Sequence, residues 1–354
     1  MLILLDDSRS FDRLDVSGMR YHLRNLPQQC RQAWAEGISF TLPPDYSRVD
    51  KVVVLGMGGS AIGGELLRAL FSQKSRTVLW SHRDYGVPGF VDDRTLLIAS
   101  SYSGTTEETL DGFAQAAQLG CKRLAITTGG TLKRLAEEQG VPVFTFQHHS
   151  PPRAAMGYSL IPLLVMLGKL GIIPDQTEAM GEMFGVLDSL CARLAESMPL
   201  AQNEAKSLAS RLHQRMPVIY GAGILSPVAY RWKTQLNENG KTWALAEAIP
   251  ELNHNSIAGY AHPEEVKVRA SVVMLNASTL HKQHQSRYIA TGELLDRSGI
   301  ARTTVNAEGH NELSQVMSLV LLGDWTSYYL AILNGQDPTP VPSIDYLKDR
   351  LKEL

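Results

Sequence analysis

Ile98-Ala99-Ser100-Ser101-Tyr102-Ser103-Gly104-Thr105-Thr106-Glu107-Glu108-Thr109-Leu110 joins a short apolar run to an amphipathic one through a loop crowded with hydroxyl groups. The run 95–99 predicts a buried strand. Thr106 followed by Glu107 and Glu108 predicts the capped, acidic first turn of a helix that carries Leu110 and Phe113 on one face. Between them lies a cradle for an anion. Ser101, Ser103, Thr105 and Thr106 bring O–H donors, Gly104 lets the backbone approach closely, and the helix start adds N–H groups and the positive end of its dipole. A phosphate group suits such a loop.

Upstream, the β-branched run 51–55 ends in Gly56-Met57-Gly58-Gly59-Ser60-Ala61-Ile62-Gly63-Gly64 and opens a helix with Leu66, Leu67 and Leu70 on one face. Strand-like runs at 77–80, 95–99, 123–127 and 142–146 alternate with helical patterns, which predicts an α/β fold with a parallel sheet covered on both faces. Strand, glycine turn and helix also begin a dinucleotide-binding unit. The acid that unit needs on the ribose is placed too late, however, because Asp84 lies well beyond the roughly 20 residues that the fingerprint expects. A glycine turn used only for close helix–sheet packing is the plainer alternative. In a parallel sheet two loops can converge on one ligand at the carboxyl ends of the strands, and two loops beside one anion fit a sugar phosphate better than a pyrophosphate.

A chain of 354 residues exceeds one compact core and predicts two domains. Hydrophobic content of 44%, charged content of 20% and a net charge of -2 describe a globular protein with no basic surplus for nucleic acid or anionic lipid. Residues 1–6 are too short and too quickly acidic for a secretory signal. The apolar run 160–173 is interrupted by Lys169, so no membrane span is expected. Cys30, Cys121 and Cys191 lie far apart without CxxC spacing, which suggests neither disulfides nor a zinc site and fits a reducing cytoplasm.

Further along, 15–37 reads as one broken or two short helices forming an arm, and Arg153 opens a long helical pattern to Leu170. An arginine at a helix start is misplaced with respect to the dipole, which makes it either a solvated residue or a group aimed at the loops. The stretch 217–224 repeats the apolar strand and Gly-x-Gly turn of 52–59 and supports duplication of one α/β unit, although the copy lacks Gly-Gly-Ser. Its helix, 227–239, carries Glu238 in its last turn, with Gly240 as the stop. A carboxylate there is disfavoured by the dipole, so Glu238 is a solvated end residue or is placed for chemistry. The segment 248–256 is polar and turn-like and holds His254, an exposed residue or a proton carrier. Strands are expected at 269–275 and 302–305, and helices at 287–298 and 311–334. A final amphipathic helix over 342–354 carries Lys348 beside Ile344, Leu347 and Leu351.

Taken in order, Gly56 to Gly64, Ser101 to Thr109, Pro152-Arg153-Ala154-Ala155, Asn237-Glu238-Asn239, Pro250-Glu251-Leu252-Asn253-His254-Asn255, Leu322-Gly323-Asp324 and Asp345-Tyr346-Leu347-Lys348 resemble the bifunctional phosphoglucose/phosphomannose isomerases. These belong to the sugar isomerase (SIS) domain superfamily. Ser256 departs from the pattern, which has an acidic residue there. The resemblance implies two SIS domains, each a parallel five-stranded sheet between helices. It also implies a homodimer with the active site between domains and subunits, and no metal or other cofactor. The expected division is a helical arm at 1–48, a first SIS domain with the phosphate loops at 49–175, and a second with the C-terminal helix at 176–354.

By the same resemblance Gly59, Ser60, Ser101, Ser103 and Thr106 hold the 6-phosphate. Glu238 is the base, His254 of the neighbouring subunit and Lys348 open the sugar ring, and Arg153 lies near the developing enediolate. The implied reaction is an intramolecular oxidoreduction of glucose 6-phosphate and mannose 6-phosphate to fructose 6-phosphate. A carboxylate can carry the carbon-bound proton, an imidazole can move one between O1 and the ring oxygen, and an arginine can stabilise the cis-enediolate. Competing classes are a non-catalytic SIS module that senses a sugar phosphate and, more weakly, an NAD-dependent oxidoreductase. The sensor would not need Glu238, His254 and Lys348 together.

Overall fold

Two parallel sheets organise the chain in the computed structural model, which describes residues 5–353. Residues 1–4 and 354, on which the readings of a leader, the arm and the last helix partly fall, lie outside the described residues. The chain divides into two compact units. The first comprises Asn25–Asp188 and Gly309–Val316; the second comprises the residues up to Arg24, Ser189–Glu308 and those from Met317 onward. The stretch 1–48, read as an arm, is thus divided between them at Arg24.

The elements begin with helices α1 (Ser8–Leu14), α2 (Met19–Arg24) and α3 (Leu26–Ser39), followed by β1 (Lys51–Leu55), α4 (Gly58–Phe71), β2 (Val78–His82) and β3 (Thr95–Ser100). Then come α5 (Glu107–Ala116), β4 (Lys122–Thr127), α6 (Gly130–Glu138), β5 (Val143–Thr145), α7 (Met156–Lys169) and α8 (Thr177–Leu194). The rest is α9 (Glu204–Leu212), β6 (Met216–Ala222), α10 (Ser226–Glu238), β7 (Leu245–Ile249), α11 (Glu264–Arg269), β8 (Ala270–Asn276), α12 (Lys282–Arg297), β9 (Ala301–Asn306), α13 (Glu312–Leu333) and α14 (Pro342–Glu353).

The first unit holds a five-stranded sheet in the order β2-β1-β3-β4-β5, all parallel. Every residue of β3 is buried, as a central strand covered on both faces requires. Val53, Leu55, Leu97 and Ala99 share one apolar cluster with Phe113, Ala125 and Leu132. On the other side α4 packs on α7, and α7 on α3. The chain passes from β1 outward to β2 and returns to β3 on the opposite flank, with Leu55 paired in register with Ala99. That reversal opens a crevice between the carboxyl ends of β1 and β3, where ligands of open α/β sheets bind.

The second unit repeats this plan with four strands, β7-β6-β8-β9, also parallel. The fifth strand implied for it is not among the described residues; β9 is the edge where the first sheet continues to β5. Strand β7 was not expected from the sequence, and only its last two residues, Ala248 and Ile249, overlap the segment 248–256 read as polar and turn-like. Its mixed burial, with Leu245 exposed and Ile249 buried, gives no clean periodicity, and its pairing with β6 is what makes it a strand. The duplication shows in the backbone: Met57 (φ -123, ψ 153) and Ala222 (φ -122, ψ 144) precede Gly58 (φ 50) and Gly223 (φ 53). A left-handed residue at the same place in both turns explains why each keeps its glycine.

Helix α13 is long and apolar enough to cross a membrane by composition, which the sequence reading overlooked, but its most apolar 18-residue window is wholly buried inside the protein. In the second unit, Lys206 on α9 is 1% exposed. Its ammonium donates to the carbonyls of Leu5 (2.5 Å), Glu196 (2.9 Å) and Met198 (2.6 Å) and lies over the rings of Phe11 and Tyr329. A buried cation is tolerated only when its donors are satisfied, and here they tie three chain segments together. Lys206→Met should leave those carbonyls without their donor and lower stability by about 2–4 kcal/mol in urea denaturation. An unchanged midpoint would mean that the carbonyls are satisfied otherwise.

Candidate active site

The crevice of the first unit is lined by the two loops that follow β1 and β3. After Gly58 turns the chain, Gly59 and Ser60 form the first turn of α4, with the Ser60 N–H donating back to the Met57 carbonyl (3.0 Å). A Cβ on Gly59 would lie 2.6 Å from the Pro152 carbonyl oxygen and 2.9 Å from Arg153 Cα. The glycine is therefore what lets the turn bearing Arg153 sit directly on the loop. That turn, Pro152–Ala154, is a short 3-10 helix, and α7 starts only at Met156, so Arg153 precedes the helix it was expected to open. Ala155 (φ -92, ψ 37) lies outside helical geometry and separates that turn from α7. Arg153 is only 5% exposed, which removes the reading of a solvated surface arginine.

The hydroxyl loop is held largely by its own side chains. Ser101 is fully buried, and its Oγ accepts the Gly104 N–H (3.1 Å) and lies 2.8 Å from Thr106 Oγ1. Buried and engaged in this way, Ser101 shapes the loop. With Ser101 donating, Thr106 keeps its own proton for a ligand. Thr106 is the N-cap of α5, yet its side chain makes no capping bond, unlike the cap expected from sequence, and turns back to Ser101 instead. The first-turn N–H groups of α5 thus receive no bond from the Thr106 side chain. Ser103 is exposed; its Oγ accepts the Thr105 N–H (3.2 Å) and lies 3.0 Å from Thr105 Oγ1. Ser60 Oγ accepts the Tyr102 N–H (3.0 Å), which joins the two loops and leaves the serine proton for another acceptor. The five residues expected to hold an anion thus lie on the two adjacent loops after β1 and β3, and the Arg153 turn packs against Gly59.

Two residues that the sequence reading did not assign also hold this crevice together. Tyr102 bonds to segments on both sides of its loop. Gln29 is buried on α3; its Nε2 donates to the Ala154 carbonyl (3.0 Å) and lies 2.9 Å from His148 Nε2, while its Oε1 accepts the Gly157 N–H (2.5 Å). A glutamine far upstream in sequence carries no local signal for such a role. A phenol inside a run of small hydroxyl residues was the visible hint for Tyr102.

The second unit holds Glu238, His254 and Lys348 on three separate elements. Glu238 is the last residue of α10 and is half-buried. Lys241 donates to its backbone carbonyl and to those of Pro338 (3.1 Å) and Pro340 (2.6 Å), which fixes the chain just after the helix. Along α10, Arg231 donates to Asp324 Oδ2 (2.7 Å), Gln235 to Asp324 Oδ1 (2.9 Å), and Asn239 to Ser327 Oγ (3.0 Å). Arg231, Gln235 and Glu238 fall at helical spacing on one stripe, so α13 locks the face of α10 that ends in Glu238.

His254 closes the 3-10 turn Glu251–His254 and is exposed; Asn253 anchors that turn by donating to Thr291 Oγ1 (2.8 Å). Lys348 lies on α14, none of whose described residues is buried. Ser256, the departure from the expected acid, donates to Glu247 Oε1 (2.9 Å), a carboxylate supplied from β7.

Residues 201–351 match the family model of the bacterial phospho-glucose isomerase C-terminal SIS domain. A bifunctional phosphoglucose/phosphomannose isomerase of Caldicellulosiruptor bescii is 41% identical over 331 residues, covering 93% of this chain and 98% of that protein. One from Aquifex aeolicus is 33% identical over 310 residues, covering 87% of this chain and 92% of its own. The solved structure of a glucose-6-phosphate isomerase like protein from Thermus thermophilus superposes with a TM-score of 0.64 at 20% identity, covering 98% of each chain, and shares the fold. Similarity of this extent along nearly the whole sequence places the chain in the bifunctional phosphoglucose/phosphomannose isomerase family.

Proposed function

We propose that the protein is a cytoplasmic aldose–ketose isomerase that interconverts glucose 6-phosphate and mannose 6-phosphate with fructose 6-phosphate through a cis-enediolate. The observation that supports this reading is the pair of loops after β1 and β3, adjacent in register and joined by the Tyr102 N–H to Ser60 Oγ bond, with the buried Arg153 turn seated on Gly59. A phosphate remote from the reacting carbons holds the sugar in register, and its binding energy is available to the transition state.

On this reading Gly59, Ser60, Ser103 and Thr106 bind the 6-phosphate, with Ser101 shaping their loop. His254 and Lys348 open the ring by moving a proton between O1 and the ring oxygen. Glu238 then removes the proton from C2 of the open aldose, electrons shift to the carbonyl oxygen, and the enediolate forms. Arg153 stabilises its negative charge. Transfer of the O2 hydroxyl proton to O1 and return of the carbon-bound proton to C1 give the ketose, so the redox change is internal and the atoms balance without a co-reactant. General base catalysis of this kind contributes roughly 100- to 10,000-fold. The same reading makes the working enzyme a homodimer, with His254 supplied by the partner subunit.

A coupled assay against a panel of hexose 6-phosphates, without added metal, tests the whole reading; binding without turnover would mark a sensor instead. Thr106→Val should raise KM for fructose 6-phosphate about 10- to 100-fold, the worth of a hydrogen bond to a charged group, and change kcat much less. An unchanged KM would remove Thr106 from the phosphate site. Glu238→Gln keeps the shape and loses the basicity, so it should bind fructose 6-phosphate normally but lose isomerisation by about 100-fold or more. Exchange of the C1 and C2 hydrogens with solvent deuterium should vanish with it, and persistence of both activities would exclude Glu238 as the base. Mixing inactive Glu238→Gln with inactive His254→Ala should restore activity through hybrid dimers in which one site has both groups intact. Exchange of subunits without recovery would place His254 in its own chain's site or outside catalysis.

A further inference from the structure

The geometry points to Tyr102 as the positioning residue that holds the Arg153 turn in its catalytic place; this rests on the isomerase reading for Arg153. Tyr102 lies in the middle of the hydroxyl loop but bonds outward. Its N–H donates to Ser60 Oγ (3.0 Å), and its carbonyl accepts Thr128 N–H (3.2 Å) and Thr128 Oγ1–H (2.7 Å). Its phenol donates to the His148 carbonyl (2.5 Å) and accepts the Ser150 N–H (2.9 Å). One residue thus joins the glycine loop, the loop after β4 and the segment leading into Pro152–Ala154.

The two sets of bonds divide the work. The backbone bonds keep the anion loops in register with each other whatever the side chain is. The phenolic oxygen alone reaches the 148–150 segment, while its ring packs edge-on against Phe146 (6.0 Å), which stacks on Tyr158 (4.2 Å). Gln29 grips the same stretch at His148, Ala154 and Gly157, so the chain carrying Arg153 is held from two directions above Gly59. Placing a guanidinium against a developing charge requires this precision, since a displacement of about 1 Å can reduce a rate by roughly 100-fold.

Tyr102→Phe removes both phenolic bonds and keeps the ring, the backbone bonds and the fold. The experiment compares it with the unmutated protein in two ways. The rate of phenylglyoxal modification of Arg153, followed by peptide mass spectrometry, reports how firmly the turn is seated and does not depend on turnover. Steady-state kinetics with fructose 6-phosphate, together with inhibition by inorganic phosphate, separate kcat from binding. The expected result is Arg153 labelling about 10-fold faster and kcat lower by about 10-fold or more, with KM and phosphate inhibition nearly unchanged. A purely structural role would lower the melting temperature without this split. Unchanged Arg153 labelling overturns the proposal whatever the activity, and so does faster labelling with unchanged kcat. A rise in KM and weaker phosphate inhibition at constant kcat also overturn it, because Tyr102 would then serve the phosphate loop alone. Faster labelling in a protein whose unmutated form does not turn over any hexose phosphate supports the coupling of Tyr102 to Arg153 and defeats the isomerase reading instead.

Discussion

Parallel pairing of β1 with β3 is the constraint from which the site of the first unit follows. Because Leu55 and Ala99 are partners in register, the turns after the two strands emerge side by side and open their helices from adjacent points. Neither loop alone is an unusual anion binder. Their adjacency adds the hydroxyls of one to the N–H groups of the other, where unpaired donors and helix dipoles favour negative charge. The absence of a side chain at Gly59 then admits a third segment, the Arg153 turn, to within van der Waals distance of the first loop.

The second unit uses the same backbone plan for a different purpose. Its glycine turn keeps the left-handed residue at Gly223, but the Gly-Ser that follows Gly58 is replaced by Ile224 and Leu225, the latter buried, so the turn seats a helix where its counterpart offers donors. What this unit adds is a helix fixed along its length. The Arg231–Asp324 pair is nearly inaccessible to water at both ends, and Gln235 takes the second carboxylate oxygen. A buried ion pair of this kind contributes little net stability against an apolar substitute, whereas removing one partner is expensive. Its clearer consequence is register, because α10 cannot slide or rotate against α13 without leaving a buried charge unmatched. Gly323 serves the same contact: a Cβ there would fall 2.4 Å from the Trp232 indole nitrogen, which itself donates to the Leu319 carbonyl (2.8 Å). The carboxylate of Glu238 is carried on the end of that immobilised helix.

The local pattern of the sequence determined the strands of the first sheet, the two glycine turns, the hydroxyl loop and the helix ending at Glu238, because each is written in neighbouring residues: β-branched runs, a positive-φ glycine, apolar residues at helical spacing. Where the signal was weak, the outcome was set by pairing. Strand β7 exists because β6 offers it a partner, and Leu-Ala-Glu-Ala-Ile has no periodicity of its own. Only the tertiary structure decided that Ser101 is buried and bonded to Thr106 within its loop, that Arg153 is buried in a turn ahead of its helix, and that Gln29 and Tyr102 bond to the segment around that turn. Those facts depend on contacts between residues far apart in the chain, such as Gln29 with Ala154 and Tyr102 with His148, and side-chain hydrogen bonds at that separation leave no periodicity in sequence from which they could be read.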